Sequence, residues 1–178
     1  LRVTVTANGT ADTAEQRIGI RTIQVSSKTG LLLNGQPRTM KGGCIHHDLG
    51  ILGAADHAAA ERRRIRLMKE SGFDAIRAAH NPFGPAFLDA CDELGMLVVE
   101  EAFDEWVMGR TSFGLHVTFE QCWEKDLEDM ITRDYNHPCI VMWSTGNEVE
   151  ERDGTADGFA WAKRLADKVR SLDASRPV

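Results

Sequence analysis

The sequence has no surplus of basic residues: 21 Lys and Arg stand against 27 Asp and Glu, a formal net charge of −6. Nucleic acid is therefore not expected as a partner, because nothing is available to neutralise a phosphate backbone. The one basic run, Arg62-Arg63-Arg64, lies in a helical pattern between Glu61 and Glu70 and reads as a solvated helix face. No apolar stretch approaches the roughly 20 residues that span a bilayer, so no membrane contact is expected. No C-x-x-C pair occurs. Cys44, Cys91, Cys122 and Cys139 are too far apart for a metal cluster and read as free, buried thiols. No signal peptide, internal repeat or low-complexity segment is visible, and the opening Leu1-Arg2-Val3-Thr4-Val5 has the look of the middle of a longer protein. What is present is an ordinary globular composition, 42% hydrophobic and 27% charged over 178 residues, enough to bury a sizeable core.

Periodicity divides the chain in two. Residues 1 to 25 read as β structure, with Leu1, Val3 and Val5 alternating with Arg2, Thr4 and Thr6. The polar stretch from Ala7 to Gln16 reads as a connection, and a second strand is expected from Ile18 to Val25. Asn34-Gly35 signals a hairpin, because both turn positions tolerate positive φ. Two strands and a hairpin are too few for a domain, so they are expected to be the tail of a β unit plus an entry hairpin.

From Met40 onward, strands and helices alternate. Strands are expected at Thr39 to Ile45, Asp74 to Ala78, Met96 to Glu100 and Cys139 to Ser144. Helices are expected from Asp56 to Ser71, from Pro85 to just before Gly95, from Thr118 onward, and from Asp157 to Leu172. Asp56 is the expected N-cap of the first, with Gly72 at C′; Thr118 and Gln121 have the spacing of a capping box. The last helix is expected to turn Ala162, Leu165, Val169 and Leu172 inward. Four successive β/α units imply a parallel sheet, and Ser175-Arg176-Pro177-Val178 reads as the turn into a fifth strand.

Polar and ionisable residues collect at one end of each strand. His46, His47 and Asp48 follow the first; Arg77, His80 and Asn81 mark the second; Glu100, Glu101, Asp104 and Glu105 the third; Asn147 and Glu148 the fourth. Parallel strands point these ends the same way, so four chain-distant clusters meet on one rim, the catalytic face if the sheet is part of a β/α barrel. Structural readings compete at several positions. His47 and His137 suit scaffold roles, His57 and His116 suit none in particular, and Asp92 and Glu93 read as solvated. Arg133 and Asp134 can pair within the scaffold. Trp123 fits a helix stripe, Trp106 is ambiguous, and Trp143 is either core or a platform for the apolar face of a sugar.

Two long motifs carry a family resemblance. Asp74-Ala75-Ile76-Arg77-Ala78-Ala79-His80-Asn81-Pro82 resembles one signature of glycoside hydrolase family 2, and Arg133-Asp134-Tyr135-Asn136-His137-Pro138 through Trp143-Ser144-Thr145-Gly146-Asn147-Glu148 resembles its acid/base signature. Lys41 to Gly50 and Glu100 to Trp106 look like the family's first and third strand ends, most of all in its β-galactosidase branch. The resemblance implies the N-terminal half of a (β/α)8 TIM barrel: residues 1–26 as the last strands of an immunoglobulin-like β-sandwich, and residues 27–178 as about four β/α units ending before strand five. It implies a retaining, exo-acting β-glycosidase acting on a β-linked sugar, with β-glucuronidase, β-mannosidase or a non-catalytic carbohydrate-binding or assembly half-barrel as alternatives. Glu148 is the implied general acid/base, and Asn147 the implied partner of the sugar 2-hydroxyl. His46 and His80 are expected to line the sugar subsite, Arg77 to support it, and Trp143 to serve as platform.

The implied chemistry has a physical basis. A glycosidic oxygen leaves only once protonated, so one carboxylic acid must hold its proton near neutrality, and retention needs a second carboxylate about 5 Å away as nucleophile. The family's nucleophile lies on a later strand, around the seventh, so this chain is expected to be inactive alone. The open strand edges of a half-barrel invite self-association, measurable by light scattering, so either the chain itself is expected to self-associate or the parent to be a homo-oligomer. No cofactor is expected. Metal-binding members carry a Glu and, two residues on, a His; Glu105 fits the first position, but Val107 occupies the second, which counts against magnesium.

Overall fold

Two antiparallel units lead into a parallel sheet in the structure, a computed structural model that describes residues 1–178. β1 (Arg2–Ala7) pairs with β2 (Thr10–Glu15) from Arg2↔Glu15 to Ala7↔Thr10. Asn8 and Gly9 form the turn at φ 52° and 78°, the left-handed pair that suits the strand twist. The stretch expected to be a connection is thus mostly the second strand of a hairpin, and Asn8-Gly9 was its signal. The strand expected from Ile18 begins only at Ile23: β3 (Ile23–Ser26) pairs with β4 (Gly30–Leu33), which turns through Asn34-Gly35 into β5 (Gln36–Pro37). The expected domain boundary at residues 26 and 27 falls in the β3–β4 turn, so by its pairing β3 belongs with β4 rather than with β1 and β2.

β6 (Gly42–Ile45), β7 (Ala75–Ala78), β8 (Leu97–Glu101) and β9 (Ile140–Ser144) lie parallel in that order. α1 (Ala58–Glu70), α2 (Pro85–Leu94), α3 (Phe119–Asp134) and α4 (Gly158–Leu172) come after the four strands in turn. One sheet face packs Ile76, Val98, Ile140 and Trp143 against Ile65, Phe87, Leu127 and Leu165 of the helices. On the other face Ala75, Leu97 and Val141 are covered by Ile23, Leu33 and Met40, so the entry hairpin closes one end of the inner face. None of the helices is long and apolar enough to cross a membrane.

The helix ends correct two expectations. Asp56 does not cap its own helix; His57 is the N-cap of α1, and Asp56 Oδ2 instead accepts from Ala86 N at the start of α2 (3.2 Å). The Thr118/Gln121 capping box does not form, and the Thr118 hydroxyl turns to Leu115 O. Gly72 behaves as expected: at φ 89° it lets Gly72 N reach Lys69 O and Phe73 N reach Met68 O, a Schellman closure. In α4, Trp161 rather than Ala162 leads the buried stripe with Leu165 and Val169.

Glu100, fully buried on the helix side of β8, accepts from Phe83 N (2.8 Å) through one oxygen and has no partner for the other. Burial pushes its pKa up to about 8, with the nearby Asp134 adding to the shift and the Phe83 N–H opposing it. The folded state therefore favours the protonated acid, and stability is lost as pH rises from the ordinary carboxylate range through about 8. Glu100→Gln should remove that slope. Its melting temperature should exceed that of the wild type at about pH 9 and match it at about pH 5, as scanning calorimetry at the two values would show.

Candidate active site

The rim formed by the C-terminal tips of β7, β8 and β9 holds a hydrogen-bonded network centred on Glu101. Glu101 is fully buried and ends β8 on the inner face. It accepts from Arg77 Nε (2.7 Å) and Nη2 (2.8 Å), from Ser144 Oγ (2.7 Å) and from His80 Nδ1 (2.9 Å). Three side chains thus supply four donors to this buried group. The pairing also raises the Arg77 pKa, with the hydrogen bond to Glu101 as the main cause. Because Glu101 can only accept, His80 carries its proton on Nδ1, which leaves Nε2 free. The His46 ring meets the His80 ring edge-on, with centroids 4.9 Å apart.

Asn147 is held at both ends. Its Oδ1 accepts from Arg77 Nη2 (2.7 Å), its Nδ2 donates to Asp104 Oδ1 (3.3 Å), and its backbone N–H donates to Phe103 O (3.0 Å). A guanidinium cannot accept and a carboxylate cannot donate, so the amide orientation is unambiguous, and one Nδ2 hydrogen remains unassigned. Glu148 comes next at φ 45° with an exposed side chain. A non-glycine residue in the left-handed region is strained, and such strain concentrates at functional sites. The turn is supported from outside by Trp106, whose Nε1 donates to Thr145 O (2.8 Å) and whose ring would lie 2.9 Å from a Cβ at Gly146.

His46, His80, Arg77 and Asn147 are thus contiguous, with Glu148 beside them; Trp143 is not among them. It is 1% exposed, faces the helix layer and donates from Nε1 to Asp173 Oδ2 (2.8 Å). A β-bulge is the reason. Val98 pairs with Ile140 but Val99 with Met142, so the extra Val141 reverses the alternation, turning Trp143 outward and Ser144 inward. A sugar platform at Trp143 is excluded. Sequence reading also missed the linking roles of Glu101 and Asp104, whose only signal was a position at a strand tip.

Other candidates prove structural. His47 stacks on Phe83 (4.0 Å) and bonds Pro82 O through Nε2 (3.2 Å), and burial lowers its pKa. Asp92 is not simply solvated: it accepts from His137 Nδ1 (2.7 Å) and Cys139 N (2.8 Å), tying α2 to the start of β9. Asp92, His137 and Cys139 place ligand-type atoms within 4.8 Å of one another. Both Asp92 oxygens and His137 Nδ1 are already used, however, and burial holds the Cys139 thiol protonated, so the group is a fastener. Cys44 is exposed and Cys122 half-buried, against the expectation of burial. Arg133 pairs with Asp134 as expected (2.6 Å).

The magnesium arrangement does not fit these residues. Glu105 Oε1 accepts from His116 N (3.1 Å) and Nδ1 (3.0 Å), and Oε2 accepts from Arg110 N (2.9 Å). Burial alone would raise the Glu105 pKa, but these donors outweigh it and bring it to about 2. The carboxylate is committed to folding the 104–117 loop.

Comparison with known proteins gives one family. The description "Glycosyl hydrolases family 2, TIM barrel domain" matches residues 23–178. A β-galactosidase of Bacteroides ovatus is 45% identical over 191 aligned positions, which take in 90% of this chain and 22% of that protein. A putative β-glucuronidase of Formosa agariphila is 38% identical, over 83% of this chain and 14% of its own length. A solved family 2 member from Bacteroides cellulosilyticus superposes with a TM-score of 0.93 at 43% identity, across 98% of this chain and 23% of that one. A β-D-glucuronidase for Dictyoglomus thermophilum gives 0.84 at 28% identity, across 99% and 31%. The chain thus spans 22% and 14% of the length of these two relatives.

Proposed function

This chain belongs to glycosyl hydrolase family 2, and from that premise we propose that it carries the acid/base half of the active site of a retaining, exo-acting β-glycosidase, a β-galactosidase. The observation that carries this reading is the Asn147–Glu148 pair at the tip of β9. One amide is fixed by Arg77 and Asp104, and beside it a carboxyl with an exposed side chain sits on a strained backbone. Glu148 protonates the leaving oxygen and later takes a proton from the attacking water. The free Nδ2 hydrogen of Asn147 bonds the sugar 2-hydroxyl, a contact that strengthens as the ring gains positive charge. His46 and His80 line the sugar subsite.

Glu101 is not the nucleophile on this reading, because all its approaches are taken by Arg77, Ser144 and His80. The second carboxylate comes from outside these residues. A galactoside is favoured because a β-galactosidase is matched at 45% identity, against 38% for the putative β-glucuronidase.

The test is hydrolysis of aryl β-galactoside, β-glucuronide and β-mannoside, with the anomeric outcome followed by NMR. The full-length protein should favour the galactoside and release the β-anomer first, and the 178-residue chain should turn over none. Release of the α-anomer would refute the retaining mechanism. Turnover by the chain alone would refute the external nucleophile.

A further inference from the structure

We infer that Asp104 is a positioning residue that sets the direction of the Asn147 amide, and that the 104–117 loop exists to hold Asp104 in place. The inference rests on the reading of Asn147 as the 2-hydroxyl partner. Asn147 Nδ2 has two hydrogens. One is taken by Asp104 Oδ1 (3.3 Å), so the other has a single direction left while Arg77 holds Oδ1 (2.7 Å). Without Asp104, the Arg77 contact alone leaves the amide free to swing about that bond.

Asp104 is itself held by Arg110, whose Nη2 donates to both its backbone O and its Oδ1 (2.5 Å each). Arg110 is placed in turn by the loop. Its N–H donates to Glu105, and the same carboxylate gathers His116 N and Nδ1. The wrap is tight enough that a Cβ at Gly114 would fall 1.7 Å from Glu105 Oε1, and one at Gly109 would fall 2.0 Å from His116 Nδ1. The backbone of the Asn147 turn has separate supports, in Asn147 N to Phe103 O and Trp106 Nε1 to Thr145 O. Asp104 therefore acts on the side chain and not on the loop that carries it.

The test is kinetic and uses the full-length protein with an aryl β-galactoside and its 2-deoxy analogue. Asp104→Ala should lower kcat/KM for the galactoside about tenfold, the rate equivalent of one good hydrogen bond, and leave the 2-deoxy analogue unchanged. In an Asn147→Ala background it should have no further effect. Hydrogen–deuterium exchange of the peptide spanning residues 143 to 151 should match the wild type. Equal losses on both substrates, or faster exchange of that peptide, would show a merely structural role and overturn the inference. A wild-type preference for the 2-hydroxyl that survives Asp104→Ala would overturn it alone. A wild type indifferent to the 2-hydroxyl would overturn the reading of Asn147 and this inference with it.

Discussion

Glu148→Gln is expected to cut turnover of an alkyl β-galactoside by the full-length protein by about 10²–10⁴-fold, the usual contribution of general acid–base catalysis. Gln keeps the size of the side chain and its hydrogen-bonding reach but has no proton to give at useful acidity. Glu148 is exposed, so the exchange leaves no buried partner stranded and the fold should be unaffected. The discriminating measurement is the dependence on leaving group. The dinitrophenolate of a dinitrophenyl galactoside departs without protonation, so the step that forms the glycosyl intermediate should be nearly unimpaired, while an alkyl galactoside should be almost inert. A uniform loss across leaving groups would mean that Glu148 does not act as the acid.

Arg77→Leu is expected to destabilise the protein by about 3 kcal/mol, the low end of the range for breaking a buried ion pair. The reason is the state of Glu101, which is fully buried and would keep only Ser144 and His80 as donors. The lower figure is chosen because the Arg77 side chain is itself 34% exposed and partly screened by solvent. Replacing both partners, Arg77→Leu with Glu101→Leu, should cost less than the sum of the two single changes, because no charge is then left unpaired. Urea unfolding of the two single variants and the double variant measures the coupling. Additive losses would show that the pair is not coupled, and that Glu101 is stabilised by something other than Arg77.

Local signals did much to expose this site. Asn147-Glu148 after an apolar strand, Arg77 within a strand and His80 just beyond one are each visible in a few residues, and parallel alternation is enough to bring the strand tips to one rim. The reading failed where an outcome depended on one element meeting another. Asp56 looked like the cap of its own helix and serves the next one, a choice made by how the loop packs. Glu101 and Asp104 looked like two of several acids after β8. That one joins Arg77, His80 and Ser144 while the other holds Asn147 is a consequence of the registers of three strands, set by contacts far apart in the chain.

By itself, then, the sequence determined the alternation of strands and helices, the hairpin at Asn34-Gly35, the direction in which the strand tips point, and the family. All of these rest on periodicity, turn chemistry and contiguous motifs, which act over a few residues. Tertiary structure alone decided which polar side chains touch and which face the helix layer. The bulge at Val141 shows why: one extra residue in β9, accommodated only through pairing with β8, reverses the parity of the rest of the strand. It sends Trp143 into the core and brings Ser144 to Glu101.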